Sequence, residues 1–301
     1  MLTPFLSLAV TAAMAIPAAA NVLVETALDR REDAPSPWTL GLDLGAGVMR
    51  GGRKHDVVDR YHLVIGVPIG YRSVYVRPIL EVQYLTIETS RSSGQLRKAS
   101  LTPVLDLEDG RTLRNIAVGL TVGGVIPSQW LRRFRLVQFG AFVEGRTTIL
   151  RPALRFDELR VVYLDEERDV KSMGNANTTV HYRLWTITAA SFATLRLSEI
   201  GWAATRWMRR RLIFRPVADS AVSVAVGATQ FVLDVDVEVN STLDRYVSDD
   251  PSERVTKRKP ITLLRYAIPL TSRVGIEFLG AASQASDRWL YALDGMIGVR
   301  F

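Results

Sequence analysis

The chain has 301 residues, 48% of them hydrophobic, a formal charge of +7 and no cysteine. Without cysteine there are no disulfide staples and no thiolate metal sites, so a fold that lives outside the cytoplasm must be held by packing and backbone pairing. The length fits two ordinary domains or one large all-β domain, and no stretch after the first twenty residues approaches the ~20 consecutive apolar residues of a membrane-spanning helix.

The opening segment, "MLTPFLSLAVTAAMAIPAAA", is apolar and runs into the small residues Ala18, Ala19 and Ala20. It reads as a secretory signal over residues 1–20 with cleavage before Asn21, although it lacks a basic start. Residues 21–37, which include "ETALDRREDAPSP", form a polar linker on the periplasmic side. From Trp38 onward the apolar side chains alternate with polar or small ones.

The first alternating segment sets Trp38, Leu40, Leu42, Leu44, Ala46 and Val48 against Thr39, Gly41, Asp43, Gly45 and Gly47. The second places Tyr61, Leu63, Ile65, Val67, Ile69 and Tyr71 on one parity, with an aromatic at each end. Val74, Val76, Leu80, Val82 and Tyr84 then oppose Tyr75, Arg77, Glu81 and Gln83. Farther on, Phe231, Leu233, Val235, Val237 and Val239 oppose Asp234, Asp236 and Glu238, and the last segment puts Tyr291, Leu293, Ile297, Val299 and Phe301 opposite Asp294 and Arg300. A period of two over about ten residues is a strand with two unlike faces, long enough to cross a bilayer when tilted.

Twelve such strands are predicted near residues 38–49, 60–71, 73–87, 98–107, 112–124, 133–146, 154–165, 178–190, 221–239, 261–270, 272–281 and 288–301. Tight turns alternate with long polar loops such as "GGRKHDVVD" and "NSTLDRYVSDDPSERVTKRK", as they do in a barrel. Two features break the pattern. Pro68, Pro78 and Pro103 fall inside strands, where each removes a ladder donor. Residues 191–220 are too long for a hairpin turn, and the arginines 206 and 209–211 beside Trp202 and Trp207 read as an amphipathic helix, a periplasmic or lumen-entering insert. Two more strands there would make fourteen.

A soluble sandwich also alternates, but its outer face is charged. Here many polar positions are Gly, Thr, Asn or a lone acid, and the aromatics collect at strand ends, where membrane interfaces lie. The segment Tyr291–Phe301, with its terminal Phe and its alternating Tyr291, Leu293, Ile297 and Val299, resembles the C-terminal strand of bacterial outer-membrane β-barrel proteins. That resemblance implies a closed antiparallel transmembrane β-barrel, all-β, in the outer membrane of a Gram-negative bacterium, with those five residues as the signal read by the barrel-assembly machinery.

In such a barrel the parity opposite the lipid face points inward. The predicted lumen residues are Asp43, Arg77, Glu81, Gln83, Asp106, Asn115, Asp234, Asp236, Glu238, Arg265, Glu277, Asp294 and Arg300, since a charge facing lipid at mid-depth costs about 2–4 kcal/mol. Charges lining a wet passage make an electrostatic filter, so the leading expectation is a narrow passive channel for small polar solutes or ions. If they pair instead, the barrel is a closed scaffold that binds a partner through its loops or through 191–220. The basic surplus, with Arg53, Lys54, Arg97, Lys98, Lys257, Arg258 and Lys259, is assigned to outer loops facing lipopolysaccharide phosphates. Such scattered charge on an exported chain argues against nucleic acid.

No motif points to a cofactor or to enzyme chemistry. Gly45, Gly47 and Gly51 follow a strand as in a dinucleotide site, but Asp43 interrupts that strand and no helical period follows, so the glycines are read as spacers on the inner face. His55, His62 and His181 have no zinc spacing. A barrel lipid hydrolase using His62 and His181 is the remaining enzymatic alternative, with rim histidines as the plainer reading. The triplets starting at Asn177 and Asn240 fit the glycosylation pattern and are read as loop residues.

Overall fold

The computed structural model describes residues 37–53, 56–89, 93–95, 102–106, 111–126, 137–149, 153–164, 170–200, 203–211, 215–241, 252–285 and 288–301. The predicted signal, most of the linker, Lys54, His55, Arg97, Lys98, Trp202 and residues 242–251 lie outside them. Among the described residues no helix is long and apolar enough to cross a membrane.

Fourteen strands form one antiparallel sheet: β1 (Trp38–Arg53), β2 (Asp56–Gly66), β3 (Ile69–Tyr71), β4 (Val74–Thr89), β5 (Ser93–Gln95), β6 (Thr102–Asp106), β7 (Arg111–Val125), β8 (Val137–Thr148), β9 (Ala153–Leu164), β10 (Val170–Arg196), β11 (Ala221–Ser241), β12 (Ser252–Pro269), β13 (Val274–Ala285) and β14 (Arg288–Arg300). The sheet closes because β14 pairs with β1 and β11 with β10. The ring has ten strands, β2 and β3 counting as one, and this is the closed antiparallel barrel the alternation implied.

The count is ten because two predicted strands leave the ring. Segments 98–107 and 154–165 do hold strands, β6 and β9, but β9 pairs with residues 170–181 of β10, and β6 and β5 follow it outward. β10 is long enough to serve two partners, pairing with β8 through residues 185–195 and with β9 above that. Alternation marks a segment as a strand without naming its neighbour. Two predicted loops also contain strand among their described residues. "GGRKHDVVD" is the tip of the β1–β2 hairpin, with Arg53 opposite Asp56, and β12 begins at Ser252.

Two of the awkward prolines meet at one spot. The ladder that β2 and β3 make in turn with β4 breaks at Val67–Pro68, directly across from Pro78, so the missing donors share a single irregularity. Flanking bonds carry the chain past it, from the Val67 amide to the Pro78 carbonyl (3.0 Å) and from the Gly41 amide to the Pro68 carbonyl (2.9 Å). Pro103 sits in β6, off the ring.

The end that carries Trp38 and Phe301, here the lower end, closes with tight turns at 72–73 and 270–273 and with the segment between β10 and β11. Arg72 takes the left-handed backbone (φ 52°) that a two-residue hairpin turn demands. The insert spans 197–220, not 191–220, because β10 continues to Arg196. It holds a 3-10 turn at Leu197–Glu199 and two short helices, α1 (Ala203–Arg209) and α2 (Arg215–Ala218). The Leu197 amide donates to the Ser220 carbonyl at 3.0 Å, pinching its base shut, and α2 packs on β12.

The two faces of the ring are sharply divided. Leu42, Leu44 and Val48 on β1, Tyr61, Leu63 and Ile65 on β2, and Tyr291, Leu293 and Ile297 on β14 all point outward and are exposed. Among the described residues no charge occupies an outward position at 38–48, 61–71 or 291–301. Aromatics mark the lower rim, where Trp38 packs on Tyr71 with ring centroids 4.7 Å apart. A wall that is apolar outside and closed by backbone pairing between neighbouring strands is what hydrocarbon demands.

Candidate functional site

The candidate site is the barrel interior, where inward parity gathers the charges. Asp43 accepts from two arginines: Arg77 Nε at 3.0 Å and Arg300 Nη1 at 2.7 Å. Arg77 extends past β2 and β1, and its Nη2 lies 3.0 Å from the Met296 sulfur on β14. A second cluster centres on Glu81, held by Arg60 on one side and Arg146 on the other. Arg146 also donates from Nε to Glu144 at 2.6 Å, and Thr121 donates to the other Glu144 oxygen at 2.9 Å.

Glycines on the same face let these side chains lie flat. Gly66 stands between Arg77 and Asp43, and a Cβ there would come within 2.6 Å of Arg77 Nε. Gly47 is in register with both Asp294 and His62, which meet above it at 3.3 Å. The spacer reading of the inner-face glycines is thus given specific partners.

Toward the lower end the interior turns aromatic. The Arg265 guanidinium sits 4.6 Å from the Phe192 ring centroid and 6.0 Å from that of Phe142, and Nη2 donates to Ser223 at 2.6 Å. Cation–π contact of this kind strengthens when water is excluded. Toward the upper end a more loosely satisfied layer runs across neighbouring strands through Asp294, His62, Gln83 and Asn115. Both Asp294 oxygens, His62 Nδ1, Asn115 Oδ1 and Arg60 Nε lack a hydrogen-bond partner among the described residues. A small cavity there, with room for about one water molecule, is lined by Gly45, His62, Val64, Glu277, Asp294 and Met296.

Of the predicted lumen residues, Asp43, Arg77, Glu81, Gln83, Asn115, Arg265, Glu277, Asp294 and Arg300 are buried inside the ring. Asp234 is not. It pairs with exposed Arg254 at 3.5 Å, while Phe231 of the opposite parity is fully buried. On β11 the lipid face is Val224 and Val226, on even numbers, and the strand runs on beyond the bilayer, where an outward acid meets water. Asp236 and Glu238 lie farther along β11, in register with His181 and Thr179 of β10, and Asp106 is on β6, outside the ring.

Among the outer-loop basic residues, Arg53 ends β1, and Lys257, Arg258 and Lys259 belong to β12. Arg258 is exposed, but Lys259 is inward and only 8% exposed, so it is removed from any lipopolysaccharide surface. His62 also faces the interior, away from lipid esters. Tyr291, Leu293, Ile297, Val299 and Phe301 all take the lipid-facing parity of β14, and the Phe301 amide closes the seam on Leu40 O at 2.8 Å.

Arg60, Glu144 and Arg146 are interior charges that alternation alone did not bring forward. Glu144 and Arg146 stand two apart in "FVEGRTT", which is a signal, yet the faces of that segment separate poorly in sequence because Gly140 and Gly145 blur them.

An even, closed antiparallel ring with an apolar exterior, an aromatic rim and a charged interior is a transmembrane barrel of the bacterial outer-membrane kind. The fold is that of an outer-membrane β-barrel. No protein-family model matches the chain, and no curated protein matches it by sequence. Similar solved structures include the translocator domain of the autotransporter NalP from Neisseria meningitidis (TM-score 0.44, 11% identity, 92% of this chain and 94% of that one). Others are the outer-membrane protease OmpT from Escherichia coli (0.40, 10%, 89% and 97%) and Ail, the attachment invasion locus protein of Yersinia pestis (0.35, 9%, 88% and 99%). At such scores the likeness carries no argument about function.

Proposed function

We propose that the protein is a sealed barrel, a membrane-held scaffold whose work is done at its two ends. The observation that carries this reading is the burial of the interior charges: Asp43, Arg77 and Arg265 are 0% exposed, and Glu81 and Glu277 are 1%. Residues that line a water-filled passage stay accessible to water. Asp43, Arg77 and Glu81 are satisfied by other interior charges, and Arg265 by Ser223 and the Phe192 ring, which replaces the hydration they have lost. The reading assigns no reaction to the chain.

A narrow channel is the second reading, favoured by the cavity beside His62 and Asp294 and by the unpartnered polar atoms around it, which suit water. Planar-bilayer recording of the refolded protein separates the two. The sealed barrel predicts silence across voltage and salt, with discrete openings once the triple variant Arg77→Ala, Glu81→Ala, Arg146→Ala removes the network. Steady unitary conductance of the unaltered protein would overturn the scaffold and establish the channel.

A further inference from the structure

The insert at the lower end has two unlike sides. Arg206, Trp207, Arg210 and Arg211 are all exposed, and their i, i+1, i+4, i+5 spacing places them on one face of α1 and the turn that continues it. Thr205 is buried and Met208 half-buried on the other face. The Arg211 guanidinium stands 5.7 Å from the Trp207 ring centroid, and Trp207 is 53% exposed. The same pairing recurs on the barrel wall at this end, where Arg72 lies 5.3 Å from the centroid of Tyr71, which in turn packs on Trp38. Arg215 and Arg273 are exposed there as well, and the nearby acid Asp219 is only 3.9 Å from Arg215.

We propose that the exposed face of the insert docks on anionic phospholipid headgroups of the leaflet at the lower end. Arg206, Arg210 and Arg211 would take the phosphates, with the Trp207 ring at headgroup depth. The charge on this face is of one sign, and an aromatic ring beneath a guanidinium is suited to an interface with an apolar and a wet side. Tyr71 with Arg72 marks where that interface meets the wall. The β10–β11 ladder overhangs at the opposite end, out to Ala176 and Ser241, as the extracellular side of an outer-membrane barrel does, so we assign this end to the periplasm, where the leaflet is phospholipid. The inference is independent of whether the barrel conducts.

The test uses the full barrel refolded into phosphatidylcholine vesicles containing brominated phosphatidylglycerol or, at the same mole fraction, brominated phosphatidylcholine. Quenching of Trp207 is read as the difference between the protein and its Trp207→Phe variant. The anionic lipid is expected to quench more strongly, and each arginine to contribute roughly fivefold to the preference at low salt. The preference should fall as salt rises and vanish in Arg206→Gln, Arg210→Gln, Arg211→Gln, whose folding is checked by its heat-modifiable gel shift. Should the triple variant fail to fold, Arg206→Gln alone and the salt titration carry the same expectation. Equal quenching by both lipids would overturn the proposal, and absence of Trp207 quenching by either would do so in favour of a periplasmic protein partner.

Discussion

Replacing Glu81 with Gln keeps the shape and deletes one charge. In the folded barrel Arg146 would retain Glu144 at 2.6 Å, but Arg60, 2% exposed and already lacking a partner at Nε, would lose its carboxylate. Leaving one buried ion uncompensated costs about 3–5 kcal/mol, whereas the same pair in a wet lumen would be worth about 0–1 kcal/mol. The size of the effect therefore reports on whether water reaches the network. Reversible urea unfolding in lipid vesicles, followed by tryptophan fluorescence, measures it. The double variant Arg60→Gln, Glu81→Gln should be more stable than Glu81→Gln alone, because it removes the orphaned charge, and the departure from additivity isolates the pair. A loss of under about 1 kcal/mol for Glu81→Gln would refute the sealed interior.

Three other outcomes test the geometry. A Cβ at Gly227 would lie 2.1 Å from the Ala189 carbonyl oxygen and 2.6 Å from Ala190 Cα, both backbone, whereas at Gly145 it would meet nothing within 4 Å. Gly227→Ala should thus lower the unfolding midpoint by the equivalent of about 1–3 kcal/mol, with Gly145→Ala nearly neutral. Leu293→Arg, facing lipid, should cost about 2–4 kcal/mol in vesicle-folded protein; equal stability would mean that this face of β14 does not touch hydrocarbon. Asp234→Ala should change stability by less than about 1 kcal/mol, since its ion pair is exposed, and a larger loss would return Asp234 to the interior.

The alternation of side chains was legible from the first strand. The pleat that sends Leu42 and Leu44 outward and Asp43 inward is a property of consecutive residues, so the membrane face, the aromatic rim and most of the interior charges follow from local order. The same holds for Arg77, Glu81 and Glu277. Alternation stops being informative where a strand outruns the bilayer. On β11 the apolar parity switches near Gln230: Val222, Val224 and Val226 cover lipid, while Phe231 fills the interior. A reading that assigns every apolar row to lipid therefore turns Asp234 the wrong way.

What sequence determined by itself was the strands, the two faces and the class of environment, because period two and hydropathy are written residue by residue. Tertiary structure decided the rest. Ten strands close rather than twelve because β10 takes β9 as well as β8, a choice made by backbone pairing between segments far apart in the chain. The Glu81–Arg146 contact joins residues 65 positions apart, and the Asp43–Arg300 contact joins residues 257 apart. Whether a row of inward charges lines a passage or fills it depends on the register of such distant strands, and a local pattern holds no trace of that register.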